Sequence, residues 1–222
     1  MSYKFESHIH TSESSQCAAS PAAKMVEAYH DAGFSGIAIT DHMYPYILPD
    51  LNNDWNAYID FFIKGYNNAK KRGDELGIAV ILGMELSFTG APGIDYLVYG
   101  FEETFLRENP FITDLGIKEF FRRFGEELLI IQAHPFRYGV KKASTDYVHG
   151  VEVYNGNQWH DCNNEKTQSL HKAQPDLYAI SASDAHSLES IGTGWIELQR
   201  PIADSYQFAD IIRNREYTLG KT

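Results

Sequence analysis

The chain of 222 residues lacks several features that define the simpler classes of protein. It has two cysteines, Cys17 and Cys162, which form neither a C-x-x-C pair nor a ligand-like cluster, and this favours free thiols in a reducing cytoplasm over a disulfide framework. Its longest apolar runs, such as residues 128–133, are far too short to cross a bilayer. The N-terminal stretch MSYKFESHIH has no apolar h-region, so we expect no secretory signal.

Positive charge is also scarce, with 19 Lys and Arg against 30 Asp and Glu and a formal net charge of −11. Binding to nucleic-acid backbones or anionic membranes is largely driven by cations, so we expect neither nonspecific nucleic-acid binding nor a membrane partner. An anionic substrate is still compatible with this charge, because bound metal ions reverse the sign of the field inside a pocket. The chain contains no G-x-S-x-G and no phosphate-cradling G-x-x-x-x-G-K-[ST], which argues against a serine-type mechanism and a P-loop.

Short apolar runs alternate with longer amphipathic ones along the whole chain, without a linker, a repeat or a low-complexity tract. This pattern predicts one domain, residues 1–222, in which a mainly parallel sheet is covered by helices, as in a single α/β barrel or a large open sheet. The predicted strands are 4–10, 37–41, 79–86, 95–101, 128–133, 150–154, 178–183 and 194–198. The predicted helices are 21–32, with Ser20 as N-cap, 54–76, 116–127, 163–173 and 202–215.

Five of these predicted strands end in, or are followed at once by, a side chain that can bind a metal ion. These side chains are His8 and His10, Asp41 and His42, Glu85, His134, and Asp184 and His186. The carboxyl ends of parallel strands meet on one face of a sheet or barrel, so residues far apart in the chain are expected to converge there. Burying several imidazoles and acids together is costly unless a cation neutralises the acids, and metal ions are the simplest partner. The alternative is a set of scattered strand-end residues, each hydrogen-bonded locally.

The motifs around these residues are HIHTSES at 8–14, ITDH at 39–42, GMELSF at 83–88, QAHPFR at 132–137, GVEVYNG at 150–156 and SASDAHS at 181–187. Their type and order resemble the PHP family, the polymerase-and-histidinol-phosphatase domain. The resemblance implies a distorted (β/α)7 TIM-like barrel with a two- or three-metal centre and, usually, phosphoesterase activity. Carried over by position, the ligands would be His8, His10, His42, Glu85, His134, Asp184 and His186, with Asp41 orienting an imidazole.

The sequence departs from the family pattern at positions that concern a third ion. Family members often carry an Asp or His where this chain has Ser15 and Gln16, and Glu13 is the nearest acid and a further candidate ligand. A family His after the Glu motif is absent, and Asp95 or Tyr96 stands there instead. Where relatives use Cys or His, this chain has Glu152 and Asn155. The number of ions, two or three, is therefore open.

Mixed imidazole and carboxylate ligands suit Zn, Mn or Fe and do not choose among them. Glu85 is the expected bridging carboxylate, and two ions can hold a bridging hydroxide that attacks a phosphate ester. Arg137, three residues after His134, is a candidate for a bidentate phosphate contact, unless it is a solvated loop residue or pairs with an acid. His160 is a candidate general acid or substrate contact, unless it is a surface histidine.

The expected function is therefore a metal-dependent phosphoesterase that hydrolyses a small phosphorylated metabolite or a nucleotide-type phosphate ester. Two alternatives use the same residues: a noncatalytic metal-binding PHP module, and an amidohydrolase-like C–N hydrolase. Hydrolysis of aryl phosphates by the metal-loaded protein, lost on chelation, would separate the first function from the others. Specificity is expected to lie in the loops at 43–53, 87–94 and 155–165, and the oligomeric state does not follow from the sequence.

Overall fold

A computed structural model describes residues 2–139 and 145–222. The helices are α1 Ala22–Asp31, α2 Trp55–Leu76, α3 Glu103–Glu108, α4 Gly116–Phe124, α5 Asn164–Ala173 and α6 Ser205–Asn214. The strands are β1 Tyr3–Ile9, β2 Gly36–Ile39, β3 His42–Met43, β4 Ala79–Leu82, β5 Met84–Ser87, β6 Asp95–Tyr99, β7 Leu129–Gln132, β8 Gly150–Asn155, β9 Tyr178–Ala182, β10 Gly194–Leu198 and β11 Tyr217–Lys221. None of the helices in these residues combines the length and the apolar character needed to span a membrane.

The strands form two sheets, with the orders β11-β10-β1-β2-β4 and β3-β5-β6-β7-β8-β9. The pairs β1-β2, β2-β4, β3-β5, β7-β8 and β8-β9 are parallel, whereas β10 and β6 run antiparallel to their neighbours. The reversal of β6 has a direct consequence for the site, because its first residue, Asp95, pairs with Ser87, the last residue of β5. An acid at the start of one strand thus lies at the same edge as the ends of its neighbours.

The predicted strand 79–86 is wrong as a single element, because the chain passes from one sheet to the other at Gly83. The amide of Gly83 donates to the carbonyl of Ile39, and the chain lies tightly against its neighbours. A Cβ at this position would lie 2.9 Å from Cγ2 of Thr40 and 3.1 Å from the ring of Tyr99, closer than ordinary contact. Only glycine fits this close approach, and the switch carries β5 and Glu85 into the second sheet.

The two sheets share one apolar core, which includes Phe5 from β1, Ile81 from β4 and Leu97 from β6. Helix α6 packs into the same core, where Phe208 stacks on Phe5 with ring centroids 5.1 Å apart. An isolated parallel bridge between Ile9 and Ala185 links the end of β1 to the segment after β9. The described strands form two sheets and no closed ring, so the α/β class is confirmed while the (β/α)7 TIM-like barrel is not.

The first residues of α1 and α2 show which of the predicted helix N-termini agree with the structure. Asp54 caps α2 by accepting hydrogen bonds from the amides of Asn56 and Ala57, in keeping with the predicted start at 54. The predicted N-cap Ser20 is wrong: Pro21 precedes α1 without a side-chain cap, and the carboxylate of Glu13 accepts from the amide of Ala22 at 2.9 Å. This contact draws Glu13 towards α1.

Candidate metal centre

Ten acidic and imidazole side chains meet at the edge where β1, β2, β5, β7, β8 and β9 end and β6 begins. None of these residues is more than 7% exposed, so water cannot compensate their charge. They are His8, His10, Asp41, His42, Glu85, Asp95, His134, Glu152, Asp184 and His186. The structure therefore brings together all the residues carried over from the family pattern, although they span positions 8 to 186 of the chain.

Glu85 lies at the centre of this group. Its Oε2 atom is 2.8 Å from Nδ1 of His42 and 3.4 Å from Nε2 of His10. Its Oε1 atom is 2.9 Å from Nε2 of His134. One carboxylate thus faces imidazoles from three different segments, which is the arrangement expected of a carboxylate that two cations share.

Asp184 provides a second shared carboxylate. Its Oδ1 atom is 3.2 Å from Nε2 of His10, 3.4 Å from Nε2 of His8 and 3.4 Å from Nδ1 of His186. The two Nε2 atoms of His8 and His10 are themselves 3.1 Å apart, because residues two apart on an extended strand point to the same side.

Among the described residues, three groups have ligand atoms close enough to surround an ion. One comprises His8, His10 and Glu85; a second comprises Glu85, Asp95 and His134; a third comprises His10, His42 and His186. Glu85 belongs to two groups and so does His10. The groups share these two residues and therefore form one continuous centre.

Burial opposes ionisation of the acids of the centre; the imidazoles around Glu85 and Asp184 outweigh it and lower the pKa of both, whereas burial and the charge of Glu85 raise the pKa of Asp95. Burial by itself raises the pKa of Glu85, but the nearby imidazoles of His8 and His42 outweigh burial and hold this pKa well below its usual value. Burial likewise lowers the pKa of His8, but the carboxylates of Asp184 and Glu152 outweigh it and hold that pKa well above its usual value. Without a metal ion, protons on imidazoles balance the carboxylates, and a divalent cation can replace these protons.

The residues fit a bound metal. Within residues 2–139 and 145–222, four buried ligand atoms of the centre make no hydrogen bond of normal geometry, although polar neighbours lie as close as the 2.8 Å between His42 and Glu85: Nδ1 of His42, Oε2 of Glu85, Nδ1 of His134 and Oδ1 of Asp184. A buried polar group left unsatisfied costs about 1–3 kcal/mol, and most such groups in native proteins have a partner. Coordination of divalent ions would satisfy these atoms, and a mixed imidazole and carboxylate set suits zinc, manganese or iron.

Glu152 orients the imidazole of His8 and holds the backbone of His134, on the side of both residues away from the centre. Its Oε1 atom accepts from Nδ1 of His8 at 2.9 Å, which leaves the other ring nitrogen of His8 facing the centre. Its Oε2 atom accepts from the backbone amide of His134 and from Nδ2 of Asn155, both at 2.9 Å. Nδ2 of Asn155 also donates to Asp184 at 3.1 Å, so these two residues position three candidate ligands.

Asp41 organises the loop that follows β1. It accepts from the amide and the hydroxyl of Thr11, each at 2.6 Å, and from the hydroxyl of Ser15 at 2.7 Å. Ser15 in turn lies 3.3 Å from Nδ1 of His10 and accepts from the amide of His42 at 3.1 Å. Burial raises the pKa of Asp41 to about 6, although hydrogen bonds from Ser15 and Thr11 oppose this shift. Asp41 thus acts through Ser15 on the imidazole of His10 and on the backbone of His42.

Two of the candidate ligands have a left-handed backbone, with φ of +26° at His134 and +50° at Asp184. Residues other than glycine rarely adopt this conformation, and when they do it often marks a functional site. The amide of His134 is held by Glu152, and Nδ2 of Asn157 donates to the carboxylate of Asp184 at 3.2 Å. Surrounding hydrogen bonds thus hold both residues in this conformation.

Residues 6–204 match the family model for the PHP domain. The chain belongs to the PHP domain family. The prediction of the family from the six motifs is therefore confirmed. None of the curated proteins matches the chain.

Solved structures with similar folds include three of low sequence identity. A two-domain protein from Bacteroides vulgatus, described as containing a predicted PHP-like metal-dependent phosphoesterase, is 18% identical with a TM-score of 0.64; the match covers 100% of this chain and 65% of that one. PsfC from Pseudomonas syringae is 17% identical, with a TM-score of 0.66 and coverage of 100% and 92%. The lesion-specific endonuclease PfuEndoQ from Pyrococcus furiosus is 15% identical, with a TM-score of 0.61 and coverage of 99% and 58%. This chain thus spans about two thirds or less of the Bacteroides and Pyrococcus proteins.

In this PHP-family chain, Arg137 lies at the edge of the centre. Its Nη2 atom is 3.3 Å from Oδ2 of Asp95, and its Nη1 atom is 3.4 Å from Nε2 of His134. Arg137 thus pairs with an acid and also lies beside a candidate ligand. Asp95, and not Tyr96, is the residue of β6 that belongs to the centre, since the ring of Tyr96 packs against Phe88 with centroids 5.6 Å apart.

His160 lies on an exposed loop at the rim of the centre. Partial burial and the positive charge of Arg137 lower the pKa of His160. The neighbouring Trp159 lies over the site, with its ring centroid 5.1 Å from that of His186. Glu13, in contrast, belongs to none of the three groups, because its carboxylate is bonded to the amide of Ala22 and to Asn68. The turn after Thr11 directs Ser15 towards the site in its place.

Two residues of the site had no signal in the sequence. Cys17 lies with its sulfur 3.2 Å from Nε2 of His42 and close to His186. Burial raises the pKa of this thiol, but hydrogen bonds from His186 and His42 outweigh burial and lower the pKa to about 6. The ring of Tyr44 stacks on the imidazole of His42 with centroids 4.2 Å apart. Both residues lie in loops outside the family motifs.

Proposed function

We propose that this chain is a metal-dependent phosphoesterase that hydrolyses a small phosphate ester of the metabolite or nucleotide type. The observation that carries the proposal is the pair of carboxylates, Glu85 and Asp184, each with one buried oxygen that faces several imidazoles and makes no hydrogen bond of normal geometry. The cation Arg137 at the edge of the same centre supplies a group suited to phosphoryl oxygens.

The proposed ligand sets follow the groups described above. His8, His10, Glu85 and Asp184 would hold one ion, and Glu85, Asp95 and His134 would hold another. A third ion would be held by His42 and His186 together with Cys17, which lies one residue beyond the positions where family members often carry an acid or imidazole. When bound, such ions polarise the phosphoryl group and lower the pKa of water.

The side chains of the chain itself then have separate roles. The guanidinium of Arg137, held by Asp95, would bind the phosphoryl oxygens and balance their charge. Burial raises the pKa of Tyr44 above its usual value, so its hydroxyl stays protonated and can donate a hydrogen bond at neutral pH. His160, exposed next to Trp159, would contact the substrate or, in its protonated form, donate a proton to the leaving oxygen.

We also propose that the two sheets form a distorted barrel. Their common core and the Ile9–Ala185 bridge support this arrangement.

The test uses the protein stripped by a chelator and reloaded separately with Zn²⁺, Mn²⁺ and Fe²⁺. We expect at least one metal to restore hydrolysis of p-nitrophenyl phosphate, and elemental analysis should give two or three ions per chain. His134→Ala should lose both metal and activity, because it removes a buried candidate ligand. The matched control, His30→Ala, changes an exposed imidazole paired with Asp31 and should change neither.

Two results would contradict this function. A fully metal-loaded protein that hydrolyses no phosphate ester would instead be a noncatalytic metal-binding module. A protein that cleaves an acyl p-nitroanilide but not phosphate esters would be a C–N hydrolase.

A further inference from the structure

A cavity of about 770 Å³ opens directly beyond the strand ends that carry His42 and Glu85. One wall is the 3₁₀ helix Pro45–Leu51, which contains Tyr46, together with Tyr44, the residue directly before the helix. The other wall is the segment that follows β5, from Ser87 to Gly93. Both walls continue the chain segments that supply candidate ligands, so the cavity adjoins the metal centre.

The cavity touches the centre at two points. Tyr44 lines the cavity and stacks on His42, with ring planes inclined by 15°. Ser87 also lines it, and its hydroxyl donates to Asp95, one of the residues grouped with Glu85 and His134. The cavity therefore adjoins the metal centre through the side chains of Tyr44 and Ser87.

The chemistry of the lining is apolar and lacks positive charge. Its surface includes Tyr46, Leu48, Phe88 and Pro92, and none of the described residues that line it is Lys or Arg. Its one acid, Asp114, accepts a hydrogen bond from Thr89 at 2.6 Å, and Ser87 is engaged by Asp95. Two of the polar groups of the lining, Asp114 and Ser87, are thus already engaged in hydrogen bonds within the protein.

This lining excludes some ligands and favours others. A second phosphate or a carboxylate would meet no cation there, and it would lie near the acids of the centre. A polyhydroxylated chain would bury its hydroxyl groups against a lining that is mainly apolar. An uncharged ring, in contrast, can pack against the aromatic and proline surfaces. Tyr46 is 59% exposed, so a large aromatic face is available at the rim.

We propose that this cavity binds the leaving group of the substrate and that this group is an uncharged ring system. The inference rests on the proposed phosphoesterase function, since it assigns the phosphoryl group to the metal centre and the rest of the ester to the cavity. Tyr44 lies between the two parts, and Tyr46 provides the stacking surface.

The test compares two phosphonates that share a dianionic head and have no cleavable ester bond, benzylphosphonate and ethylphosphonate. Their binding to the zinc-loaded full chain is measured by isothermal titration calorimetry, so turnover is not needed. We expect benzylphosphonate to bind at least about tenfold more tightly, because its ring leaves water for an apolar surface. Tyr46→Ala should remove most of this preference while the affinity for ethylphosphonate stays within about twofold.

The matched control is Tyr206→Ala, which removes another exposed tyrosine, 47% exposed, on α6. It should keep the full preference for the ring. Equal binding of both phosphonates by the unaltered protein would overturn the inference. The proposed function would still hold in that case if the protein hydrolyses p-nitrophenyl phosphate. Failure of both phosphonates to bind the metal-loaded protein would overturn the inference together with the proposed phosphate recognition. A preference that survives in Tyr46→Ala would also overturn it.

Discussion

Replacing Glu152 by Gln removes one buried charge without changing the size of the side chain, and it tests whether Glu152 orients the metal ligands. The carboxylate accepts from Nδ1 of His8 on one oxygen and from the amide of His134 and Nδ2 of Asn155 on the other. A glutamine side chain has only one oxygen. Whichever way the new amide turns, its NH₂ group faces at least one donor.

Each orientation has its own cost. If the NH₂ group faces His134 and Asn155, two donors lose their acceptor. If it faces His8, the ring must accept at Nδ1, and its proton moves to Nε2, the nitrogen that faces Glu85 and the other candidate ligands. That tautomer cannot bind a metal ion through Nε2.

The magnitude follows from the bonds that are lost. Hydrogen bonds to a charged group contribute about 1.5–3 kcal/mol each, so the free energy of unfolding should fall by roughly that amount. Loss of an outer partner of a ligating histidine typically lowers metal affinity by about 10–100-fold. We therefore expect Glu152→Gln to bind Zn²⁺ at least about tenfold more weakly.

The assay combines zinc competition against a chromophoric chelator with urea unfolding of the metal-free protein. Glu13→Gln is the matched control, because Glu13 accepts from the amide of Ala22 and from Asn68 and contacts no candidate ligand. It should cost a little stability and leave zinc affinity unchanged. If Glu152→Gln binds zinc as tightly as the unaltered chain, Glu152 does not orient the ligands and our account of the site is wrong.

Three further predictions concern other parts of the site. Arg137→Ala should lower kcat for phosphate esters at least about tenfold with metal content intact, because it removes the guanidinium 3.3 Å from Asp95; unchanged kinetics would exclude Arg137 from the reaction. Metal affinity should rise with pH between 6 and 8, because metal binding must displace a proton from His42. Burial lowers the pKa of His42, but the contacts with Glu85 and Cys17 outweigh burial and raise this pKa to about 10. Calorimetry in buffers of different ionisation enthalpy should show proton release, and a buffer-independent heat would contradict the proposed ligands. Cys17→Ala should weaken binding of one ion per chain, and bound metal should protect Cys17 from iodoacetamide. If the variant keeps the full ion count and metal does not slow the labelling of Cys17 in the unaltered chain, the thiol is not part of the site.

Much of the secondary structure followed from local signals. Asp54 before a long amphipathic run predicted a helix over 54–76, and α2 spans Trp55–Leu76. In contrast, β3, β11 and α3 are short or edge elements without a strong pattern, and they were not predicted. The division of the predicted strand 79–86 at Gly83 depends on how closely Thr40 and Tyr99 approach the backbone, which local sequence does not encode.

The site shows the same division between local and nonlocal information. His8, His134 and Asp184 could be selected because each directly follows or ends an apolar run, and a polar side chain there is a local signal. Asp95 entered as one of two alternatives, and only the antiparallel course of β6 decides for it. Cys17 carried no signal, because its position depends on a loop that Asp41 draws against the site from another strand.

The sequence by itself determined the family, the alternation of strands and helices, and the chemical type of the centre, because these depend on residue types and on periodicity along the chain. Tertiary structure decided which oxygen and nitrogen atoms face one another, that Glu85 is shared while Glu13 is not, and that Tyr44, Tyr46 and Phe88 line a cavity beside the centre. These features depend on strand direction and on contacts between segments far apart in the chain. Such contacts exist only when the two sheets have packed together.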